Sequence, residues 1–268
     1  MASWQKKRVL IVVRTYPVPA QQGIEVSCTA GVTPEGKWIR IFPVPYRFLE
    51  ADKRFKKYQW IEADVIRAQS DARPESHKVN IETIAIGDSV STADGWRSRR
   101  DLLGSLIRPS LCAIKREQEQ TGHPTLGLFR PSKIEKLVIK PVSENWTTGQ
   151  KAILSQQMLG FEKGPTKTLE KLPIEVSYKF QCVDRDCKGH QMQCTDWEMG
   201  EAYRAYLAKY GNGWEMKFRE KFEREMIEKF DTHFFVGTVH NHPKNWIIVG
   251  LFYPPKTREP DLFDSRTP

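Results

Sequence analysis

Short apolar runs separated by turn residues fill the first ninety residues of the chain and predict β-strands. Residues 8–14 (RVLIVVR) form a continuous apolar run that is suited to a buried strand. Residues 24–28 and 37–42 flank a turn at residues 34–36, which predicts a hairpin. Two further strand candidates are residues 58–68 and 78–87. Strands at this spacing predict a small antiparallel barrel or sandwich.

After these strands the spacing of apolar residues changes to that of helices. Residues 96–107 carry apolar side chains at roughly helical spacing, and residues 110–120 predict a second short helix. Two strand-like segments follow between residues 125 and 142. Residues 143–171 are polar, and we expect a long connection there with one short helix.

The C-terminal third begins with the cleanest alternation in the chain, residues 172–182, where four apolar side chains fall on one face of a strand. Thr195 and Glu198 form a capping-box pattern, which predicts a helix that begins there and ends near residue 210. A second helix is predicted over residues 214–230, and a strand pair follows it.

These patterns predict an α+β protein. We expect an N-terminal antiparallel β-barrel or sandwich-like module at residues 1–90, with a helical insert and returning strands at residues 91–141. A polar connection (residues 142–173) then leads to a C-terminal α+β part with two helices and a strand pair (residues 174–256). The last residues, 257–268, are rich in proline and charge and are predicted to be disordered.

Composition narrows the class of function. The chain has 268 residues and a formal net charge of +9, which favours a polyanionic partner, most commonly nucleic acid. No stretch approaches the ~20 apolar residues of a membrane helix, so we expect a cytoplasmic protein without a membrane span. Five cysteines are too few, and odd in number, for a secreted disulfide scaffold.

Four potential metal ligands fall within the stretch CVDRDCKGHQMQC: Cys182, Cys187, His190 and Cys194. The residues between them are mostly polar, so the loop has no core of its own and a metal ion would supply the missing folding free energy. A Cys3His set predicts one closed, structural Zn²⁺ site, so we expect residues 174–256 to be a zinc-stapled α+β part. An iron–sulfur cluster is less favoured because it usually takes four thiolates. The other two cysteines, Cys28 and Cys112, are predicted to be small buried apolar residues.

The loop resembles a zinc knuckle in the order of its ligands and in its Gly189–His190 pair. The first gap between ligands is longer than in a knuckle and the later gaps are shorter. The resemblance is confined to this loop and implies metal binding without implying a fold.

Basic residues mixed with aromatic ones point to nucleic acid, because cations follow the phosphate backbone and rings stack on exposed bases. Two segments have this character, residues 51–60 and 96–100. The candidate contacts are Lys53, Arg54, Lys56, Lys57, Arg97, Arg99 and Arg100, with Arg185 and Lys188 in the cysteine–histidine loop. The leading hypothesis is therefore a basic, zinc-containing protein that binds DNA or RNA.

Two alternatives stay open. The chain can be an enzyme that acts on nucleic acid, such as a nuclease or a base-excising or base-modifying enzyme. Its acid, base or ligand groups would come from Asp71, Glu75, His77, Asp196, Glu198, His240 and His242. An enzyme should bring several of these into one concave pocket. The chain can also be an adaptor that docks a protein partner through the tail segment from Pro260 to Asp264.

Overall fold

The computed structural model describes residues 3–20, 25–160, 165 and 167–256, and for residues 157–160 it describes the backbone alone. The predicted disordered tail and its docking segment therefore lie outside the described residues. In the described part, no helix combines the length and the apolar character that crossing a membrane requires.

The first sheet contains a closed barrel. Its strands are β1 (Gln5–Arg14), β2 (Val18–Pro19), β3 (Glu25–Val32), β4 (Trp38–Val44), β5 (Gln59–Arg67), β6 (Ser76–Val79) and β7 (Ala85–Ser89). Five of them, in the order β1-β3-β4-β6-β5, close because β5 also pairs with β1. Strands β2 and β7 extend the sheet outside this ring. The predicted barrel is present, but it is not fully antiparallel because β4 and β6 run parallel.

The apolar run of β1 is continuous because both of its faces are buried. Val9 and Ile11 belong to the core inside the barrel, together with residues of β4 and β5. Leu10 and Val12 point the other way, into a second core that the barrel shares with the rest of the chain. Alternate side chains of a strand point to opposite faces, so one strand serves two cores.

The predicted strand at residues 78–87 is two strands in the structure. The side chain of Asn80 accepts a hydrogen bond from the Glu82 backbone N–H, and the chain makes a short helical turn at Ile81–Thr83. This turn separates β6 from β7, and each of them pairs with β5. A local side-chain hydrogen bond thus competes successfully with continuation of the strand.

The second sheet is larger than the predicted strand pair. Its strands are β8 (Ile107–Arg108), β9 (Leu126–Phe129), β10 (Lys133–Pro141), β11 (Ile174–Gln181), β12 (His190–Cys194), β13 (His233–Val239) and β14 (His242–Phe252). Their order is β10-β11-β12-β14-β13-β9-β8. The predicted pair of β13 and β14 is present, but an isolated pair of strands is marginally stable. Strand β9 pairs with β13 on one side of it and β12 pairs with β14 on the other, and β8, β11 and β10 extend the sheet from these two.

The helices are α1 (Ala93–Gly104), α2 (Leu111–Thr121), α3 (Thr148–Gly160), α4 (Trp197–Tyr210), α5 (Trp214–Arg219) and α6 (Met226–Glu228). A π-helical segment, Glu220–Glu225, joins α5 to α6, so the second predicted helix of this region is continuous but not regular. Its buried Phe218 and Phe222 pack in one core with Tyr178 and Phe234 of the second sheet. Helices α4 to α6 therefore cover that sheet.

Asp196, and not the predicted Thr195, is the N-cap of α4. Its Oδ1 accepts a hydrogen bond from the Glu198 backbone N–H at 2.7 Å. Thr195 is engaged elsewhere, because its backbone N–H and its hydroxyl both donate to the carbonyl oxygen of Ile248 in β14. The capping role thus moves one residue along the chain.

A buried ion pair joins the barrel to the second sheet. Lys57, which precedes β5, donates from Nζ to Asp196 Oδ2 at 3.1 Å and to the Leu251 carbonyl oxygen at 2.9 Å. Asp196 Oδ2 also accepts from the Leu251 N–H at 3.0 Å. The side chains of Lys57 and Asp196 are 8% and 2% exposed, so each charge depends on the other for stabilisation.

We predict that Lys57→Met lowers the free energy of unfolding by about 3–5 kcal/mol, because it leaves the Asp196 carboxylate buried without its cation. Chemical denaturation followed by circular dichroism measures this loss. The matched control is Lys53→Met, whose partner Glu82 is 73% exposed and which should cost far less. Adding Asp196→Asn to Lys57→Met should recover part of the loss. Equal losses for Lys57→Met and Lys53→Met would contradict the role of the pair.

Candidate functional site

Three of the four predicted metal ligands come together in the structure. The ligand atoms of Cys182, Cys187 and His190 lie with that of Cys112 in one group, all within 4.8 Å of one another. His190 Nε2 is 3.3 Å from Cys112 Sγ and 3.4 Å from Cys187 Sγ. Tetrahedral zinc with Zn–S near 2.3 Å and Zn–N near 2.0 Å separates its ligand atoms by about 3.5–3.8 Å. These four residues, called here the metal-ligand group, can therefore hold one metal ion, and the loop from Cys182 to His190 is called the metal-ligand loop.

Cys194 does not join this group, and Cys112 takes the fourth position. Cys194 closes β12, and its thiol contacts Met199 Sδ at 3.4 Å inside the apolar core. Burial, together with the charge of Asp196, raises the pKa of the Cys194 thiol, so it stays protonated. Cys112 lies in the first turn of α2, which the Ser110 side chain caps by accepting from the Ala113 N–H. The prediction that Cys112 is only a small core residue is therefore corrected.

The backbone between the ligands is shaped for this group. Gly189 has a φ of +81°, a conformation that side chains disfavour, and it turns the chain into His190. The His190 ring packs on Phe180, with ring centroids 5.2 Å apart. Asp184 in the same loop binds the Arg116 guanidinium of α2 at 2.6 Å. The loop is thus attached to α2 both by the metal-ligand group and by an ion pair.

A second site lies where the barrel meets the second sheet. It is a cavity of about 410 Å³, called here the junction cavity. Its lining residues are Arg14, Tyr46, Lys56, Lys57, Tyr58, Trp96, Arg99, Asp196, Trp197, Glu198 and Tyr253. They come from the barrel, α1, the start of α4 and the segment after β14, so the cavity forms only when these parts pack together.

Two guanidinium groups of the cavity wall stack on aromatic rings. The Arg14 guanidinium carbon lies 4.0 Å from the Tyr46 ring centroid and 4.2 Å from that of Trp197. The Arg99 carbon lies 4.1 Å from the Tyr58 centroid and 4.6 Å from that of Trp96. In the part of the chain that the structure describes, no carboxylate forms an ion pair with either arginine. Both charges are therefore held in place with most of their hydrogen-bond donors available to a ligand.

The acidic side of the cavity is organised by Lys57. Burial disfavours its charged form, but the Asp196 and Glu198 carboxylates outweigh that effect and hold the pKa of Lys57 well above its usual value. Lys57 Nζ donates to Glu198 Oε2 at 3.2 Å. Burial, and then the charge of Glu198, raise the pKa of Tyr253 to about 12, so this phenol is neutral. The cavity thus combines fixed cations, one accessible carboxylate and neutral aromatic rings.

Two aromatic residues of the cavity hold an unusual backbone conformation. Tyr58 has a φ of +61° and Trp96 a φ of +66°, both in the left-handed region that bulky side chains rarely adopt. Trp96 follows Asp94 and Gly95, which are also left-handed, so α1 is irregular in its first turn. Strain of this kind concentrates at functional sites, where the surrounding structure maintains it.

The predicted basic contacts are distributed among several places. Lys56, Lys57 and Arg99 line the junction cavity. Lys53 pairs with Glu50 and Glu82, Arg54 donates to backbone oxygens, and Arg100 binds Asp231 and the Pro255 oxygen. Three further residues are exposed: Arg97 in α1, and Arg185 and Lys188 in the loop between Cys182 and His190. The structure thus brings only three of the nine to the cavity.

The predicted acid and base residues also fall into separate groups. Asp196 and Glu198 line the junction cavity. Asp71 forms an ion pair with Arg73. Burial alone would raise the pKa of Asp71, but hydrogen bonds from the Arg73 side chain, the Arg73 backbone N–H and Ser76 outweigh burial and lower it. His240 Nδ1 lies 3.8 Å from Asp71 Oδ2. Nearby, Glu75 pairs with Arg40, and His77 contacts the Glu75 carbonyl oxygen. His242 is exposed at the start of β14. The seven candidates do not converge on one pocket.

Sequence patterns missed several residues of both sites: Cys112, Arg14, Tyr46, Trp197 and Tyr253. Cys112 had a local signal, because a cysteine in the first turn of a capped helix is placed as a reactive or ligating thiol usually is. The four cavity residues had none, since each begins, ends or follows an element that was predicted for other reasons. Only the packing of the two sheets brings them together.

Two family models cover nearly the whole chain. The domain of unknown function DUF8758 matches residues 5–105, and the domain of unknown function DUF8757 matches residues 107–267. A search of curated proteins returned no match. Among solved structures, "Structure of murine DNA binding protein bound with ds DNA" aligns with 96% of this chain and 98% of that chain, at 9% identity and a TM-score of 0.32. A TM-score this low does not establish a shared fold, and no property of that protein is carried over.

We predict that Cys112→Ala removes bound metal and that Cys194→Ala retains it, because only the first thiol belongs to the ligand group. Metal content after gel filtration, measured by inductively coupled plasma mass spectrometry, separates the two variants. Both remove one thiol, so they are matched in chemistry. Metal loss in Cys194→Ala but not in Cys112→Ala would restore the ligand set expected from spacing alone.

Proposed function

The chain belongs to the DUF8757 family, whose model spans more than half of its length, and we propose that it binds DNA or RNA at the junction cavity. The observation that carries this proposal is the pair of guanidinium groups, Arg14 and Arg99. They line the cavity, they are stacked on aromatic rings, and no described carboxylate pairs with them.

Phosphate is the ligand that such groups suit best. A guanidinium presents donors in a planar fork that matches phosphate oxygens, and stacking on a ring fixes its orientation in advance. Lys56 is exposed at the same cavity and adds a mobile cation. The formal net charge of +9 attracts a polyanion over a longer range.

Aromatic rings in the same cavity favour nucleic acid over a simple phosphate. Trp96 and Tyr253 are half-buried and lie with ring centroids 5.3 Å apart. Bases that are free of their duplex partners stack on such rings, which every base can do. A cavity of about 410 Å³ is a volume that suits a small ligand and is small for a duplex. We therefore expect single-stranded or locally unpaired nucleic acid to bind better than duplex.

The position of the cavity is typical of a ligand site. Arg14 and Arg99 come from the region that the DUF8758 model matches, whereas Trp197 and Tyr253 come from the region of the DUF8757 model. Ligand sites occur preferentially where two structural units meet. Binding at this place would need both units.

The distribution of acid and base groups supports binding rather than catalysis. Only Asp196 and Glu198, of the seven candidate residues, line the cavity. Both oxygens of Asp196 already accept hydrogen bonds from Lys57, Leu251 and the Glu198 N–H. A carboxylate that is fully engaged in this way is a structural group.

In the same proposal the metal of the Cys112, Cys182, Cys187 and His190 group is Zn²⁺, with a structural role. Three thiolates and one imidazole are a standard set for closed zinc sites, and with four protein ligands no coordination position is left for a substrate. The ion would connect α2 to the loop that precedes β12. Its coordination energy would contribute to folding, since the unfolded chain has no such site.

We predict that the protein binds labelled single-stranded oligonucleotides and that the logarithm of the association constant falls linearly with the logarithm of the salt concentration. Fluorescence anisotropy measures this binding. Arg99→Gln and Lys56→Gln should each weaken binding and reduce the salt slope by about one. Arg224→Gln is the matched control, because it removes a guanidinium that pairs with Glu220 in the π-helical segment and does not line the cavity.

Two results would count against this function. One is the absence of binding to DNA and RNA at low salt. The other is an equal effect of Arg99→Gln and Arg224→Gln, which would mean that only net charge matters. Lys56 is exposed and is engaged in the described structure only through its backbone N–H, so Lys56→Gln remains informative if Arg99→Gln lowers stability.

The zinc assignment predicts about one zinc ion per purified chain and no acid-labile sulfide. Treatment with a chelator should lower the melting temperature, because the ion stabilises only the folded state. If the purified protein contains iron and acid-labile sulfide, the site holds an iron–sulfur cluster and the zinc assignment is wrong. An unchanged melting temperature after complete metal removal would contradict the structural role.

A further inference from the structure

The junction cavity contains one hydrogen-bond acceptor that is fixed in position and still available. Glu198 Oε2 accepts from Lys57 Nζ at 3.2 Å, and Lys57 is itself held by Asp196 and by the Leu251 carbonyl oxygen. Within the described ranges no hydrogen bond reaches Glu198 Oε1, and the side chain is 46% exposed. An ionised carboxylate only accepts hydrogen bonds, so this wall of the cavity selects a ligand that donates.

The four bases differ in the donors that they offer to a carboxylate. Guanine presents its N1–H and its 2-amino group side by side, which matches two carboxylate oxygens in a bidentate pair. Adenine and cytosine each present one amino group beside an acceptor nitrogen. Thymine and uracil present one N–H between two carbonyl oxygens, which the carboxylate repels. Guanine is therefore the base that a fixed carboxylate favours most.

The rest of the cavity provides what an unstacked base needs. Trp96 and Tyr253 are half-buried rings of the cavity wall that contact each other, and Arg99, which stacks on Trp96, donates from Nε to the Val90 carbonyl oxygen and has its other donors left for the adjoining phosphate. Trp96 is held there at a φ of +66°, and Tyr58, the other ring under Arg99, at +61°. Both conformations cost free energy, and both place rings of the same cavity.

We infer that the junction cavity receives one unstacked guanine of a bound strand, whose N1–H and 2-amino group donate to the Glu198 carboxylate. The stacked arginines contact the phosphates beside it. This inference rests on the proposed nucleic-acid binding and deepens it by naming the base. Free guanine nucleotides carry the same chemistry, so they serve as a second source of the ligand in the test.

The test compares oligothymidine strands that carry one guanine, inosine, adenine or abasic position at the centre, by competition anisotropy. The guanine strand should bind about tenfold more tightly than plain oligothymidine, which is the low end of the discrimination of a bidentate contact. Inosine lacks the 2-amino group and should lose most of that gain. Guanosine monophosphate should compete, and cytidine monophosphate should not.

Glu198→Gln replaces one of the two acceptor oxygens by a donor and should reduce the ratio of guanine-strand to oligothymidine affinity from about tenfold to about one, since the loss of charge acts on both strands alike and cancels in the ratio. Glu119→Gln is the matched control, with the same change of charge on an exposed residue of α2. Circular dichroism reports whether Glu198→Gln is folded. The comparison among bases on the unaltered protein does not depend on that variant.

Different outcomes of these experiments distinguish guanine recognition from nucleic-acid binding in general. Salt-dependent binding with equal affinity for all strands overturns the inference and leaves nucleic-acid binding in place. Quenching of tryptophan fluorescence by guanosine monophosphate, with no oligonucleotide bound, overturns nucleic-acid binding and supports guanine recognition. Absence of both overturns both. A guanine preference that Glu198→Gln retains overturns the assigned contact.

Discussion

The buried ion pair between Lys57 and Asp196 is the contact on which the arrangement of the whole chain depends. The Asp196 carboxylate caps α4, binds the Leu251 backbone N–H in β14 and accepts from Lys57 of the barrel. Each of these charges is removed from water and needs the other and its hydrogen-bond partners for stabilisation, so the barrel and the second sheet have one favoured position. The residues beside the pair, Tyr58 on one side and Glu198 on the other, are then walls of a single cavity.

The metal-ligand group and the ion pair hold the two ends of one short strand. Strand β12 begins at His190, a predicted and observed member of the metal-ligand group, and the chain reaches Asp196 two residues after the strand ends at Cys194. The position of His190 is therefore linked to the position of Asp196 through the five-residue strand β12. A metal ion bound by this group would therefore influence the position of Asp196 beside the junction cavity, although none of the four candidate ligands lines that cavity.

Local patterns in the sequence predicted most elements but few of the contacts between them. The alternation of residues 172–182 and the continuous run of residues 8–14 identify β11 and β1, because side-chain burial repeats along a strand. Cys182, Cys187 and His190 were also predictable, because they are close together in the sequence and one loop can bring their ligand atoms into contact. Cys112 lies seventy residues before Cys182, and its place in the group depends on how α2 packs. The stacking of Arg14 on Trp197 likewise joins the end of β1 to the start of α4 and has no local signature.

We propose that nucleic acid occupies the junction cavity, and photo-crosslinking tests this location directly. Oligonucleotides with a photoreactive thiobase at each position in turn are irradiated with the protein, and crosslinked peptides are mapped by mass spectrometry. We expect crosslinks at Trp96, Trp197 or Tyr253, which line the cavity. Crosslinks confined to the exposed metal-ligand loop around Arg185 and Lys188 would contradict it.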